Sequence, residues 1–285
     1  MWDFILVHNS KNKDCILNRI VPHGSAPVAP HKNAHVTMNL ALAVKGKCIP
    51  DVLTSLPKSS QGEINEAIWL CCEIDSSDCM DTLIQNKVNI SILNAMGNDP
   101  LIHAALHDSR KCLQVVLNQS MKNTVNPKTI NNDRWTALLY ACYNGNPDGV
   151  ESLIKKGADV NASDSGGYSP LLRAAEANSI DCLTTILNPF YKAKINHQNK
   201  KGWTALHFVA NNKSVSCMRL LLDQKTPIDV NKPDTEGETA LMKGDDPPSL
   251  PFASLMVNSS FLLLLLSSRS TELFRVFRAT YRKKG

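Results

Sequence analysis

The chain of 285 residues lacks the short motifs that carry catalytic chemistry. No glycine-rich loop ends in Lys-Ser/Thr to cradle a nucleotide phosphate, and neither His-Glu-x-x-His nor a nucleophile elbow occurs. No cysteine pair has zinc-ribbon spacing with a histidine to complete the set. Long apolar runs are missing too. The run Phe261–Leu266 is six residues, and Asn258, Ser259 and Ser260 interrupt the stretch before it. A membrane-spanning helix needs about 20 predominantly apolar residues. Residues 4–7 are apolar, but Asp3 and His8 bracket a run too short for the core of a secretory signal. Charge of one sign is also scarce. The net charge is +5, and residues 268–285 hold six Lys or Arg against one Glu, so the rest of the chain balances to zero. With no basic field over the body of the chain, nucleic acid is not expected as a partner.

What the chain does contain is a repeat. Cys79, Cys112, Cys182 and Cys217 fall at the same point of a unit recurring every 33 to 37 residues. The clearest copies read Trp-Thr-Ala-Leu-Leu-Tyr-Ala-Cys from Trp135, Tyr-Ser-Pro-Leu-Leu-Arg-Ala-Ala from Tyr168 and Trp-Thr-Ala-Leu-His-Phe-Val-Ala from Trp203. Glu66, Asp99, Thr136, Ser169, Thr204 and Thr239 are the predicted starts of each unit's first helix. Short polar residues suit an N-cap because their oxygen accepts an orphan backbone N–H, and Glu66 is the poor fit. Small residues follow at Cys71-Cys72, Ala104-Ala105, Ala141-Cys142, Ala174-Ala175 and Val209-Ala210, allowing close helix approach. A second apolar stripe at spacings of three and four, as in Val150, Leu153 and Ile154, predicts a second helix. Gly97, Gly167, Gly202 and Gly237 lie two residues before their starts. Asn94, Asn131, Asp164, Asn199 and Asp234 lie five before, which marks a tight reversal with a left-handed position.

These residues resemble the ankyrin repeat. Gly-Ala-Asp-Val-Asn at 157–161 with Asp164 and Gly167, and Gly202-Trp-Thr-Ala-Leu-His207, are close to that family's strongest signatures. Arg134 replaces the loop glycine of the third unit, and Gly149 stands where other units carry Cys. The resemblance implies an all-α solenoid of helix-turn-helix units with hairpin-like loops, in which each unit buries its apolar face against its neighbours. It also implies that His207 holds the loop-to-helix turn. His103 sits one position later in the frame and reads as scaffold too.

The repeat accounts for most of the nine cysteines. They occupy apolar or small-residue helix positions, where a reduced thiol behaves as a small hydrophobe. Reduced thiols point to the cytoplasm or nucleus. Residues 1–35 read as an N-terminal arm and Pro-rich linker whose three histidines, between 21 and 35, are solvated. Residues 36–62 read as a degenerate capping repeat. The array then spans 63–242, with units near 63–94, 95–131, 132–163, 164–198, 199–233 and a truncated 234–242. Residues 243–285 break the frame in mid-helix. They read as a divergent basic tail that need not be a native continuation of the array.

The functional expectation is a non-catalytic protein-interaction module, needing no cofactor, monomeric, with a protein as partner. Trp135, Tyr168 and Trp203 precede the helix starts of three consecutive units. The resemblance places them near the loop tips, where they either anchor a partner or pack against the next loop. Arg134, Tyr143, Glu176, Lys201 and Asn211 flank the row. Two alternatives stay open: an accessory module of a larger enzyme of ubiquitin ligase or kinase type, and a membrane-associated adaptor using the tail, where Phe274, Phe277 and Tyr281 share a helical face.

Overall fold

The computed structural model describes the backbone of residues 5–8 and 15–18, and residues 40–119, 126–224 and 227–243. The Pro-rich stretch 21–35 and the tail after Lys243, including its proposed membrane face, lie outside the described residues. Within the expected N-terminal arm, β1 (Ile5–His8) and β2 (Cys15–Asn18) pair antiparallel, with Ile5 opposite Asn18. The sequence reading has no strand there, because four-residue segments carry too little alternation to register.

The chain divides into two compact units, residues 1–126 and 127–285. In the first, α1 (Leu40–Lys45), α3 (Gln61–Glu73) and α5 (Pro100–Leu106) pack side by side as one layer. Behind them α2 (Ile49–Ser55), α4 (Ser77–Gln85) and α6 (Arg110–Asn118) form a second. In the second unit α7 (Ala137–Tyr143), α9 (Pro170–Glu176), α11 (Ala205–Asn211) and the short α13 (Ala240–Lys243) make the first layer. Their partners are α8 (Pro147–Lys155), α10 (Ile180–Ile186) and α12 (Val215–Leu222). Helices of two turns are not stable alone in water, so each depends on burial against the next. The small-residue pairs sit at those contacts: Ala174 and Ala175 are 0 % exposed, as are Cys142, Val209 and Ala210.

The caps follow the expected starts, with one exception. Asp99 Oδ1 accepts from Ile102 N at 2.8 Å, Thr136 Oγ1 from Leu139 N at 3.2 Å and Ser169 Oγ from Leu172 N at 3.4 Å. Glu66, in contrast, lies inside α3. That helix starts at Gln61, where Ser60 Oγ accepts from Glu63 N at 3.3 Å and Glu63 Oε2 accepts from Ser60 N at 2.8 Å. This reciprocal capping box satisfies two orphan donors and so outcompetes the position the repeat frame selects. The first helix of the unit expected near 63–94 is therefore capped at Ser60 and not at Glu66.

Eight cysteines, Cys48, Cys71, Cys72, Cys79, Cys112, Cys142, Cys182 and Cys217, are free and buried. The Sγ atoms of Cys72 and Cys112 are 3.9 Å apart, well beyond the ~2.05 Å of a disulfide. Among the described residues no helix is long and apolar enough to cross a membrane.

Candidate functional site

The loops of the second unit are copies of one Asx turn. Asn131 Oδ1 accepts from Asp133 N at 3.1 Å and Trp135 N at 2.8 Å. Asp164 does the same for Gly166 and Tyr168, Asn199 for Lys201 and Trp203, and Asp234 for Glu236 and Glu238. The fourth residue of each turn takes a positive φ: Arg134 at 64°, Gly167 at 80°, Gly202 at 74° and Gly237 at 82°. Successive loops are then joined by main-chain bonds, from Ser165 N to Asp133 O at 3.1 Å, Lys200 N to Gly166 O at 3.0 Å and Thr235 N to Lys201 O at 3.1 Å. The turns thus hold the residue before each helix at the same point of every unit, and the backbone ladder fixes its spacing.

His207 completes this frame at the last loop. Its Nδ1 accepts from Thr204 N at 3.1 Å, which leaves Nε2–H to donate to the Glu238 carbonyl at 3.1 Å. Burial lowers the pKa of its imidazole, against opposing pulls from the Glu238 carbonyl and Asp234, while the charge of Lys243 lowers it further. The protonated ring loses its acceptor for Thr204 N–H. A histidine whose folded pKa lies below its unfolded value of about 6.5 stabilises the fold above that pH and less below it. Stability should therefore fall as pH drops from about 6.5 to 5, by at most about 1.4 kcal/mol per pH unit from this group. Urea melts across that range should show a shallower slope in His207→Gln; an unchanged slope would remove His207 as the source.

Trp135, Tyr168 and Trp203 are half-buried, and the space between them is filled. The Arg173 guanidinium lies 4.2 Å from the Trp135 ring centroid and 3.8 Å from that of Tyr168, so it is held between two aromatic faces. Beyond Tyr168, Phe208 lies at 5.6 Å from its ring and 4.9 Å from Trp203, edge-on to the indole. The Lys243 ammonium follows, 5.4 Å from Trp203. Rings and cations attract through the ring quadrupole, more strongly where water is excluded. The Arg173 side chain is 12 % exposed, and its charge is matched by Asp164, with which it is in close contact, and by Glu176 at 2.7 Å. Lys243 likewise meets Asp234 at 3.0 Å, Glu236 at 3.1 Å and, closer still, Glu238. Although burial raises the Asp234 pKa, the Glu238 N–H and Lys243 more than offset it and hold the carboxyl at about 2. The same carboxylates, Glu238 foremost, push the Lys243 ammonium pKa up.

Around this filled row, Tyr143 is 50 % exposed and meets Trp135 edge-on at 5.9 Å. Arg134, Lys201 and Asn211 are exposed and Glu176 is half-buried. Sequence reasoning missed Arg173, Phe208 and Lys243. A usable signal exists, in the residue four after each helix start. It is Tyr140, Arg173, Phe208 or Lys243, and it pairs with Asn131, Asp164, Asn199 or Asp234 five before the start. An acid in the loop accompanies a cation on the helix, and an amide accompanies an aromatic. Asn131 Nδ2 reaches the Tyr140 hydroxyl at 3.4 Å, whereas Phe208 offers no acceptor and Asn199 Nδ2 is buried without a partner.

The family model for ankyrin repeats (3 copies) matches residues 120–199 and 171–244. The chain is 27 % identical over 136 residues to the E3 ubiquitin-protein ligase KEG of Arabidopsis thaliana, covering 47 % of this chain and 8 % of that protein. It is 30 % identical over 122 residues to the B-cell lymphoma 3 protein homolog of Mus musculus, covering 42 % and 27 %. Against the neurogenic locus notch homolog protein 1 of Mus musculus, identity is 29 % over 121 residues, covering 42 % and 5 %. The chain thus spans well under a third of the length of each of these relatives.

Proposed function

Because the chain is an ankyrin repeat protein, we propose that its second unit is a non-catalytic docking surface for a protein partner, centred on Trp135, Tyr168 and Trp203. The observation that carries this reading is the filled row itself. Arg173 and Phe208 fix the three half-buried rings before any partner arrives, while Tyr143, Arg134, Lys201 and Asn211 stand exposed at the margin. Rings already held in place lose little entropy on binding, and a rigid aromatic centre with a polar rim is the usual anatomy of a binding hot spot. The partner meets ring edges and the Tyr143 phenol, with the rim cations Arg134 and Lys201 setting its orientation. The protein acts as a monomer in the cytoplasm or nucleus.

The test is a double substitution, Trp135→Ala with Trp203→Ala, against Glu151→Ala with Thr184→Ala on exposed positions of α8 and α10. Partners recovered by affinity capture with the wild-type chain should bind the tryptophan variant about 30-fold or more weakly, equivalent to about 2–4 kcal/mol. The second-layer variant should bind normally. Circular dichroism must show that the tryptophan variant keeps its helices. Wild-type affinity in the folded tryptophan variant would move the interface away from the row.

A second reading is favoured by the short share of each relative that the chain covers. The same surface would serve as the substrate-binding module of a larger enzyme, and one relative, aligned over 47 % of this chain, is named as an E3 ubiquitin-protein ligase. In that case the recovered partners include proteins turned over by such an enzyme, and the tryptophan variant lengthens their lifetime.

A further inference from the structure

In the first unit the positions that correspond to the aromatic–cation row carry different chemistry. His103, four residues after the Asp99 cap, occupies the place of Arg173 and Lys243 in the frame, and Glu73 that of Tyr143 and Glu176. Glu73 ends α3, and His103 and His107 lie one turn apart at the end of α5, the neighbouring helix. One ligand atom from each of the three residues lies within 4.8 Å of the other two. His103 Nε2 stands 3.4 Å from Glu73 Oε1, and the two imidazole centroids are 4.7 Å apart.

We propose that Glu73, His103 and His107 bind a divalent transition metal ion, zinc being the best match. Two imidazole nitrogens and one carboxylate oxygen are the donors that zinc accepts, whereas calcium and magnesium require oxygen throughout. Histidines four apart on a helix present both rings on one face, and the carboxylate arrives from the adjacent helix. One ligand is fixed. His103 is 7 % exposed and its ring is held edge-on to Trp69, centroids 5.2 Å apart. Its Nδ1 is buried without a partner, so the imidazole is not committed on that side. Glu73 and His107 are exposed.

Bonds of about 2.0–2.2 Å in a tetrahedral shell place donor atoms about 3.3–3.6 Å apart. Metal binding then requires the exposed Glu73 and His107 side chains to rotate and close the present spacing to that value. Three protein ligands leave a fourth position for water or for a donor from a partner. The acidic group Asp234, Glu236 and Glu238 has comparable spacing, but the Lys243 ammonium already pairs with all three carboxylates. The ion pair of the Glu73 cluster is internal, between Glu73 and His103.

The experiment is calorimetric titration of Zn2+ into the full, tag-free chain kept reduced, with His107→Ala and Glu73→Gln alongside. Both substitutions fall on exposed side chains, so melting in the presence of a chelator should be unchanged. The wild type should take up one zinc that both variants bind at least tenfold more weakly. Zinc should raise the wild-type melting temperature and leave that of the variants nearly unaltered, since only ligand bound to the folded state stabilises it. Absence of binding by the wild type, or equal binding and equal thermal shifts in all three proteins, would overturn the assignment. The latter result would place the metal on other residues, such as the histidines between 21 and 35.

Discussion

Gly202→Ala is expected to destabilise the second unit by about 3 kcal/mol or more. The residue has φ of 74°, and an added Cβ would lie 2.7 Å from Asp234 Cα, 2.8 Å from Thr235 N and 2.9 Å from Asp234 C. All three are backbone atoms of the next loop, so no side-chain rotation relieves the clash. The loop from Asp234 to Glu238 must move instead. That movement breaks the bond from Thr235 N to Lys201 O and the one from His207 to the Glu238 carbonyl. Gly237→Ala is the internal control. Its φ is 82°, yet nothing lies within 4 Å of an added Cβ, so only the left-handed strain of about 1 kcal/mol remains. Arg134 already occupies the equivalent position at φ of 64°, which shows that the strain by itself is tolerated. Chemical denaturation of the two alanine variants should separate them by about 2 kcal/mol or more. Equal losses would mean that the loops do not approach as closely as described.

Ala174→Asp should be at least as damaging. Ala174 is fully buried on α9, which packs against α7 on one side and α11 on the other. A carboxylate there meets apolar neighbours, so it either stays charged without a partner or takes a proton it would not carry in water. Either route costs about 3–5 kcal/mol, a large share of the ~5–15 kcal/mol that holds an ordinary domain together. Ala210→Asp on α11 should behave alike, because Ala210 is also 0 % exposed at the equivalent position. Thr184→Asp on the exposed face of α10 should leave the urea midpoint within experimental error. If Ala174→Asp melted with the wild type, the small-residue pairs would not be helix contacts.

The frame was legible wherever a local rule repeats. Asp99, Thr136 and Ser169 cap their helices, and the Asx and glycine offsets become loops, because hydrogen bonds within a few residues decide both features. Where two local rules competed, the repeat misled: the Ser60–Glu63 capping box displaced the start from Glu66. The free, buried cysteines of the array also follow from the pattern, since each of them, Cys48 aside, occupies a position the frame marks as apolar or small.

The surface was legible in part. Trp135, Tyr168 and Trp203 could be placed at one position of successive units from spacing alone. That Arg173 fills the gap between the first two could not, because Trp135 and Arg173 are 38 residues apart and meet only when loop and helix of neighbouring units pack together. Glu73 and His103 are likewise 30 residues apart, joined by the docking of α5 on α3. The unit, its caps, its turns and its small or apolar positions can be read along the chain, since those depend on near neighbours in it. Which rings enclose a cation and which imidazoles face a carboxylate is fixed by packing. Those contacts depend on the registry between stacked helices, which is set by side-chain packing and carried by no single repeat.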